Sequence, residues 1–140
     1  MSTKIFVNLP VKDLKKSIAF FETLGFTFNP QFTDDNAACM VISEQNYAML
    51  LTHEYFKTFA TKPISDAHTS TEVLIALALE SKAAVDDMVA IAVKAGGKEP
   101  KPKRDHGFMV QRTFEDLDGH IWEPFWMDPG ARAEGMSDEA

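Results

Sequence analysis

One segment concentrates the groups that could do chemistry. The stretch EDLDGHIWEPFWMD, Glu115 to Asp128, carries Asp116, Asp118, His120 and Glu123 in close succession. Carboxylates near an imidazole supply general acid–base catalysis or metal ligation, but the spacing divides this set. Asp-Leu-Asp-Gly is the composition of a tight reversal, in which Asp116 or Asp118 bonds nearby backbone amides. His120 and Glu123 are an odd number of positions apart, so in a strand they point to opposite faces. With Glu123 on an inward face, Ile121 and Phe125 join it. His120 and Trp122 turn away, and His120 reads as a half-exposed surface or interface residue. A carboxylate between two apolar neighbours is poorly solvated and requires a donor or a cation. Glu123 is therefore the catalytic candidate, as general acid or base. The competing reading is a structural carboxylate held by a neighbouring strand residue or water.

Other side chains are candidates for the same face. Asn8 shares the parity of Phe6 on its strand, and its amide can donate to Glu123 or to a ligand; strand-end backbone bonding is the alternative. Thr52 shares the parity of Leu50, and Gln111 points inward from a later strand. His106, in a loop, stands at a possible mouth. Cys39 lies in an apolar run and reads as a small buried hydrophobe. The sequence holds no nucleophile–base pair, no Gly-rich phosphate loop and no paired-His metal motif.

The elements that must position these residues recur in order. Lys4 to Val11 reads as a strand. Asp13 is an N-cap for a helix to about Leu24, with Leu14, Ile18, Phe21 and Leu24 on one face and Gly25 as its stop. Phe26 to Phe32 is a strand broken by Pro30, and Ala37–Ser43 with Tyr47–His53 forms a hairpin. After a linker the order begins again. Glu72 to Leu79 is a strand, and Ser81 caps a helix with Val85, Met88, Val89 and Ala92 on one face. Gly107–Asp116 and Ile121–Met127 are strands, with an edge strand expected around Lys98–Pro102. The chain is one domain of two β-α-β-β-β modules: module one at about 3–56, a linker at 57–70, module two at about 71–128 and a frayed tail at 129–140. The fold class is α+β. A sheet with one helix leaves an apolar face uncovered, and pairing two such sheets makes a curved half-barrel cup suited to a ligand.

Composition narrows the partners. With 140 residues and 45% apolar content the chain can bury a core. A net charge of −7 disfavours nucleic acid and anionic membrane surfaces as partners. A single cysteine forms no intramolecular disulfide and suits a reducing cytoplasm. The amino-terminal residues do not read as a signal peptide, and no apolar run approaches membrane-spanning length.

IFVNLPVKDLKKSIAFFETLGF and FEDLDGHIWEPFWMDP together resemble the glyoxalase/bleomycin resistance/dihydroxybiphenyl dioxygenase group, the vicinal oxygen chelate superfamily. The GHIWEPFWMDP ending is similar to predicted lactoylglutathione lyases. Metal-dependent members of that superfamily hold a dication with one side chain from each of four strands. Carried over by motif, those positions are Phe6, Leu50 or its neighbour, Leu74 and Glu123. Three of the four are apolar and offer no donor, so the usual divalent metal site is expected to be absent; any other cofactor is left open. The resemblance implies either of two functions. One is a glyoxalase-type lyase or isomerase acting on or binding a small molecule in the cup, with Glu123 catalytic and Asn8, Phe6, Leu50, Thr52, Leu74, Gln111 and Phe125 binding. The other is a bleomycin-resistance-type protein that sequesters an amphipathic or cationic compound as a homodimer, with Trp122 and Trp126 as interface anchors.

Overall fold

The computed structural model describes residues 3–130. Most of the expected tail, residues 131–140, lies outside the described residues. The chain divides into two compact units. The first runs to Glu72 and takes in Leu117–His120; the second comprises Val73–Asp116 and the residues from Ile121.

In the first unit, β1 (Ile5–Val11) leads to α1 (Leu14–Thr23), β2 (Thr27–Asn29), a 3-10 turn (Pro30–Phe32), β3 (Ala37–Val41), β4 (Asn46–Thr52) and the short α2 (His53–Lys57). The expected cap is in place, since the Lys16 backbone N–H donates to Asp13 Oδ1 at 3.1 Å. Gly25, at φ +97°, supplies the left-handed residue that ends α1. Its buried residues are Leu14, Ser17, Phe20 and Phe21, so the inner face is rotated from the expected Leu14–Ile18–Phe21–Leu24 stripe. A serine is tolerated there because its hydroxyl donates to Asp118 Oδ2 at 3.2 Å. The sheet order is β1-β4-β3-β2, with β1 and β4 parallel. Leu9, Val11, Ala38, Met40, Ala48 and Leu50 are buried on the helix side.

The second unit repeats the plan with β5 (Leu74–Ala78), α3 (Lys82–Lys94), β6 (Arg104–Asp105), β7 (Met109–Gln111), β8 (Phe114–Glu115) and β9 (Ile121–Met127). Ser81 Oγ accepts from the Ala84 N–H at 3.0 Å and caps α3 as expected. Its sheet runs β5-β9-β7-β6, the strand order of the first sheet, with β8 also on β9. The single strand expected over 107–116 is split into β7 and β8. The cause lies opposite the break: Pro124 has no N–H to complete the ladder, although its carbonyl still accepts from the Arg112 N–H at 3.0 Å. The expected edge strand at Lys98–Pro102 reduces to one bridge, Lys98 with Glu115, because Pro100 and Pro102 lack donors. Pairing resumes at β6. Val85, Val89 and Ala92 of α3 are buried with Leu77, Val110, Phe114 and Trp122 of the sheet. Arg112 ties this layer together, forking onto Glu99 with two 2.9 Å bonds and reaching Asp86 at 2.9 Å.

Candidate functional site

Each sheet has one face under its helix and one face free of it. In the first unit the parallel register sets Phe6 beside Tyr47, Asn8 beside Met49 and Pro10 beside Leu51. Phe6 and Asn8 are exposed on this open face, and Phe6 stacks on Tyr47 at 4.6 Å with the rings 10° apart. The same register pairs Leu50 with Leu9 and Thr52 with Val11. Leu50 and Thr52 are thus on the helix side, opposite Phe6 and Asn8, which corrects their expected place on the open face. Leu50 is core, and the Thr52 hydroxyl caps α2 by accepting from the Tyr55 N–H. Strand parity gives the alternation within β4 but not which half of it aligns with Phe6; the interstrand register alone supplies that.

The open face carries a cavity of about 340 Å³. Asn8, Met49 and Leu51 form its floor, and Phe32, Tyr55 and Phe59 stand around it. Tyr55 and Phe59 meet edge to face at 5.1 Å. Among the described residues the Asn8 amide donates to the Phe6 carbonyl, at a long 3.3 Å, so it can turn to a ligand at small expense. Two of the aromatic residues around the cavity, Tyr55 and Phe59, sit at the entry to the linker, and nothing in their spacing marked them.

In the second unit Glu123 is on the helix-free face, and Ile121 and Phe125 share that face as parity predicts. Leu74 pairs with Ile121, Ala76 with Glu123, and both Ala78 and Gln111 with Phe125. Leu74, Gln111 and Phe125 therefore share the face of Glu123. The carboxylate is buried at 8% exposure. It is not isolated: Thr113 Oγ1 donates to Glu123 Oε2 at 3.3 Å, and Lys101 Nζ lies 3.6 Å from the same oxygen. Sequence reading missed both partners. Thr113 was recoverable in principle by counting back across the β8–β9 turn, whereas Lys101 sits in a loop without periodicity.

Asp116 and Asp118 of the opening segment make structural bonds to groups outside their own turn. Asp118 Oδ1 accepts from the Lys12 N–H at 2.8 Å, and Asp116 Oδ2 accepts from Trp122 Nε1 at 2.9 Å. His120 is buried rather than half-exposed, with its Nε2 donating to the Pro10 carbonyl at 2.7 Å. Trp122 is fully buried and stacks on Phe114, so it is a core residue and not an interface anchor. Trp126 is half-buried with Lys82 Nζ 5.5 Å above its ring.

A four-donor cation site does not fit these residues. Phe6 and Leu74 have no donor atoms, Leu50 is core on the other side of its sheet, and Glu123 already holds Thr113 and Lys101. Among the described residues, no group of three or more His, Cys, Asp or Glu is placed to hold a metal ion.

Two sheets of the same strand order, each backed by a helix and neither closed into a barrel, define the α+β fold of the glyoxalase/bleomycin resistance/dioxygenase proteins. Residues 3–43 match the family model described as bleomycin resistance protein-like N-terminal. A hypothetical protein from S. aureus is similar at 28% identity and a TM-score of 0.75, covering 90% of this chain and 95% of its own. A glyoxalase/bleomycin resistance protein/dioxygenase family enzyme from Burkholderia phytofirmans PsJN shares the fold at 16% identity and a TM-score of 0.74, covering 90% and 99%. So does a genomically encoded fosfomycin resistance protein from Listeria monocytogenes, at 20% identity and a TM-score of 0.66, covering 94% and 98%. The sequence matches no curated protein. No helix among the described residues is long and apolar enough to cross a membrane.

Proposed function

We propose that this chain binds an amphipathic small organic molecule on the open face of its first sheet, without the four-donor metal set that the superfamily resemblance implies for metal-dependent members. The cavity bounded by Asn8, Met49, Leu51, Tyr55 and Phe59 carries this reading. Phe32 and Phe59 are 63% and 65% exposed around it, so a ligand would cover apolar surface now in water. Aromatic faces beside the Asp34 carboxylate favour a ligand with a cationic group. A bleomycin-resistance-type binder is favoured over a glyoxalase-type lyase or isomerase. The Asn8 carboxamide is too weak an acid and base for proton transfer, and Glu123 would have to leave Lys101 and Thr113 before it could act as acid or base. A homodimer is part of the proposal, as is a cytoplasmic setting, which the single buried thiol of Cys39 suits.

Methyl NMR of methionine-labelled protein tests the binding site, with the Met49 signal assigned through Met49→Leu. Aromatic amphiphiles with a cationic, neutral or anionic head are titrated in turn. Saturable movement of the Met49 methyl by the cationic compound, weakened in Asn8→Ala and Phe59→Ala, is the expected result. A Met49 signal that no compound moves, or a response untouched by either substitution, overturns the reading.

A further inference from the structure

A second and larger cavity, about 700 Å³, lies wholly within the first unit, where β1 and β4 end. The start of α1 contributes Lys12 and Lys16, α2 contributes His53 and Lys57, and the linker contributes a wall from Pro63 to His68. The turn at Leu117–His120 completes the lining.

This linker wall is built rather than loose. The Asp66 carbonyl accepts the N–H groups of Thr69 and Ser70 at 3.0 and 2.9 Å, and Asp66 Oδ1 accepts from the His68 N–H at 2.9 Å. Gly119, at φ +84°, lies so close to the wall that a Cβ there would stand 2.9 Å from Ala67 backbone atoms. The cavity is therefore largely preformed, which lowers the ordering penalty of binding.

The charges around it are unequally committed. Each of the three aspartates already accepts a backbone N–H: Asp13 from Lys16, Asp66 from His68 and Asp118 from Lys12. The lysines are not matched in the same way. Lys12 and Lys16 are exposed, and their ammonium groups form no ion pair among the described residues. Among the described residues Lys57 pairs with Glu54 at 3.6 Å, with both side chains well exposed, a pair of small net worth. The cavity thus offers three exposed ammonium donors, with His53 and His68 beside them, alongside three carboxylates that each hold a backbone amide.

The geometry points to a binding site for a small organic anion, a phosphate monoester or carboxylate, in this Lys12–Lys16–Lys57 cavity. Ammonium groups donate charge-assisted bonds to either kind of oxyanion. The volume lies within the usual range of small-molecule sites, roughly 300–1,000 Å³. It leaves room for an organic body beyond the anionic head. This site is separate from the proposed cavity of Asn8 and Phe59, with which it shares no lining residue.

Amide NMR of the whole chain, with phenyl phosphate, succinate and inorganic phosphate as probes at constant ionic strength, tests the proposal. Phenyl phosphate or succinate should give saturable shifts at Lys12, Lys16, Lys57 and His68, with inorganic phosphate binding more weakly than phenyl phosphate. The paired substitution Lys12→Gln with Lys16→Gln should weaken binding about tenfold or more. Both lysines are exposed, so the pair should leave the melting temperature unchanged. Ser65→Trp, which places an indole in the cavity, should abolish the shifts while Met49 still answers its own ligands. Saturation by only one of phenyl phosphate and succinate assigns the anion as phosphate or carboxylate and sustains the site. No saturable shift with either, shifts that map elsewhere, or affinity unchanged in the paired lysine variant overturns it.

Discussion

Glu123 lies in the company of Lys101 and Thr113, and that company sets what its removal does. A carboxylate kept for function in an apolar site destabilises the fold, and replacing it with an amide raises stability. A satisfied carboxylate behaves in the opposite way. Glu123→Gln keeps an oxygen for Thr113 but loses the attraction to Lys101, so stability at neutral pH should fall by about 1 kcal/mol. Lys101 is 43% exposed, so the loss should shrink in concentrated salt. Thermal melts of both proteins at low and high salt read the difference; a variant more stable than the parent would return Glu123 to a functional role. The facing of Glu123, Ile121 and Phe125 was legible because alternation in a strand is local. Its lysine partner was not, since a loop lysine has no period to read.

Two elements carry sharper tests. Gly25 and Gly119 both take positive φ, but only Gly119 is crowded. Gly25→Ala should cost about 1 kcal/mol from backbone strain alone. Gly119→Ala adds a clash with the Ala67 backbone and should cost clearly more, about 2–4 kcal/mol, in urea unfolding. Equal losses would mean that the linker yields. The second test is the ion cluster on α3. Hydrogen bonds from Arg112 and then Lys103 hold the Asp86 carboxyl below the usual carboxylate range. A lowered folded pKa means that the unfolded chain takes up the proton first. The stabilisation is therefore complete above about pH 4, the unfolded value, and is lost as pH falls through the lower folded value. Asp86→Asn should melt earlier than the parent at pH 7, and the gap should narrow below about pH 4. A gap that is constant with pH would show that the charge of Asp86 is not what matters. The caps at Asp13 and Ser81 were readable because a cap is a contact between near neighbours. The split of β7 from β8 was not, because the interrupting residue, Pro124, sits on the opposite strand.

For the molecule as a whole, the proposed homodimer has a direct measurement. Ile5, Phe6 and Leu74 each leave 46–55% of their surface in water, apolar area that a second copy would cover. Sedimentation equilibrium at high micromolar concentration should give twice the 15.6 kDa chain mass. A lone-chain mass at that concentration counts against the dimer and leaves the cavity of Asn8 and Phe59 as a monomer's site. The repeated order of strand, helix and strands was written in the apolar periods and the Gly stops, which act over a few residues and survive any packing. Those same local signals identified the α+β class, whereas the four ligand positions, three of them apolar, came from the family resemblance. Long-range pairing settled the rest: the register that turns Leu50 and Thr52 toward α1, the capture of Leu117–His120 by the first unit through Asp118 and His120, and the salt link under Glu123. Each joins residues distant in sequence, where no periodicity constrains which partner is met, and the meeting exists only once the strands have chosen their neighbours.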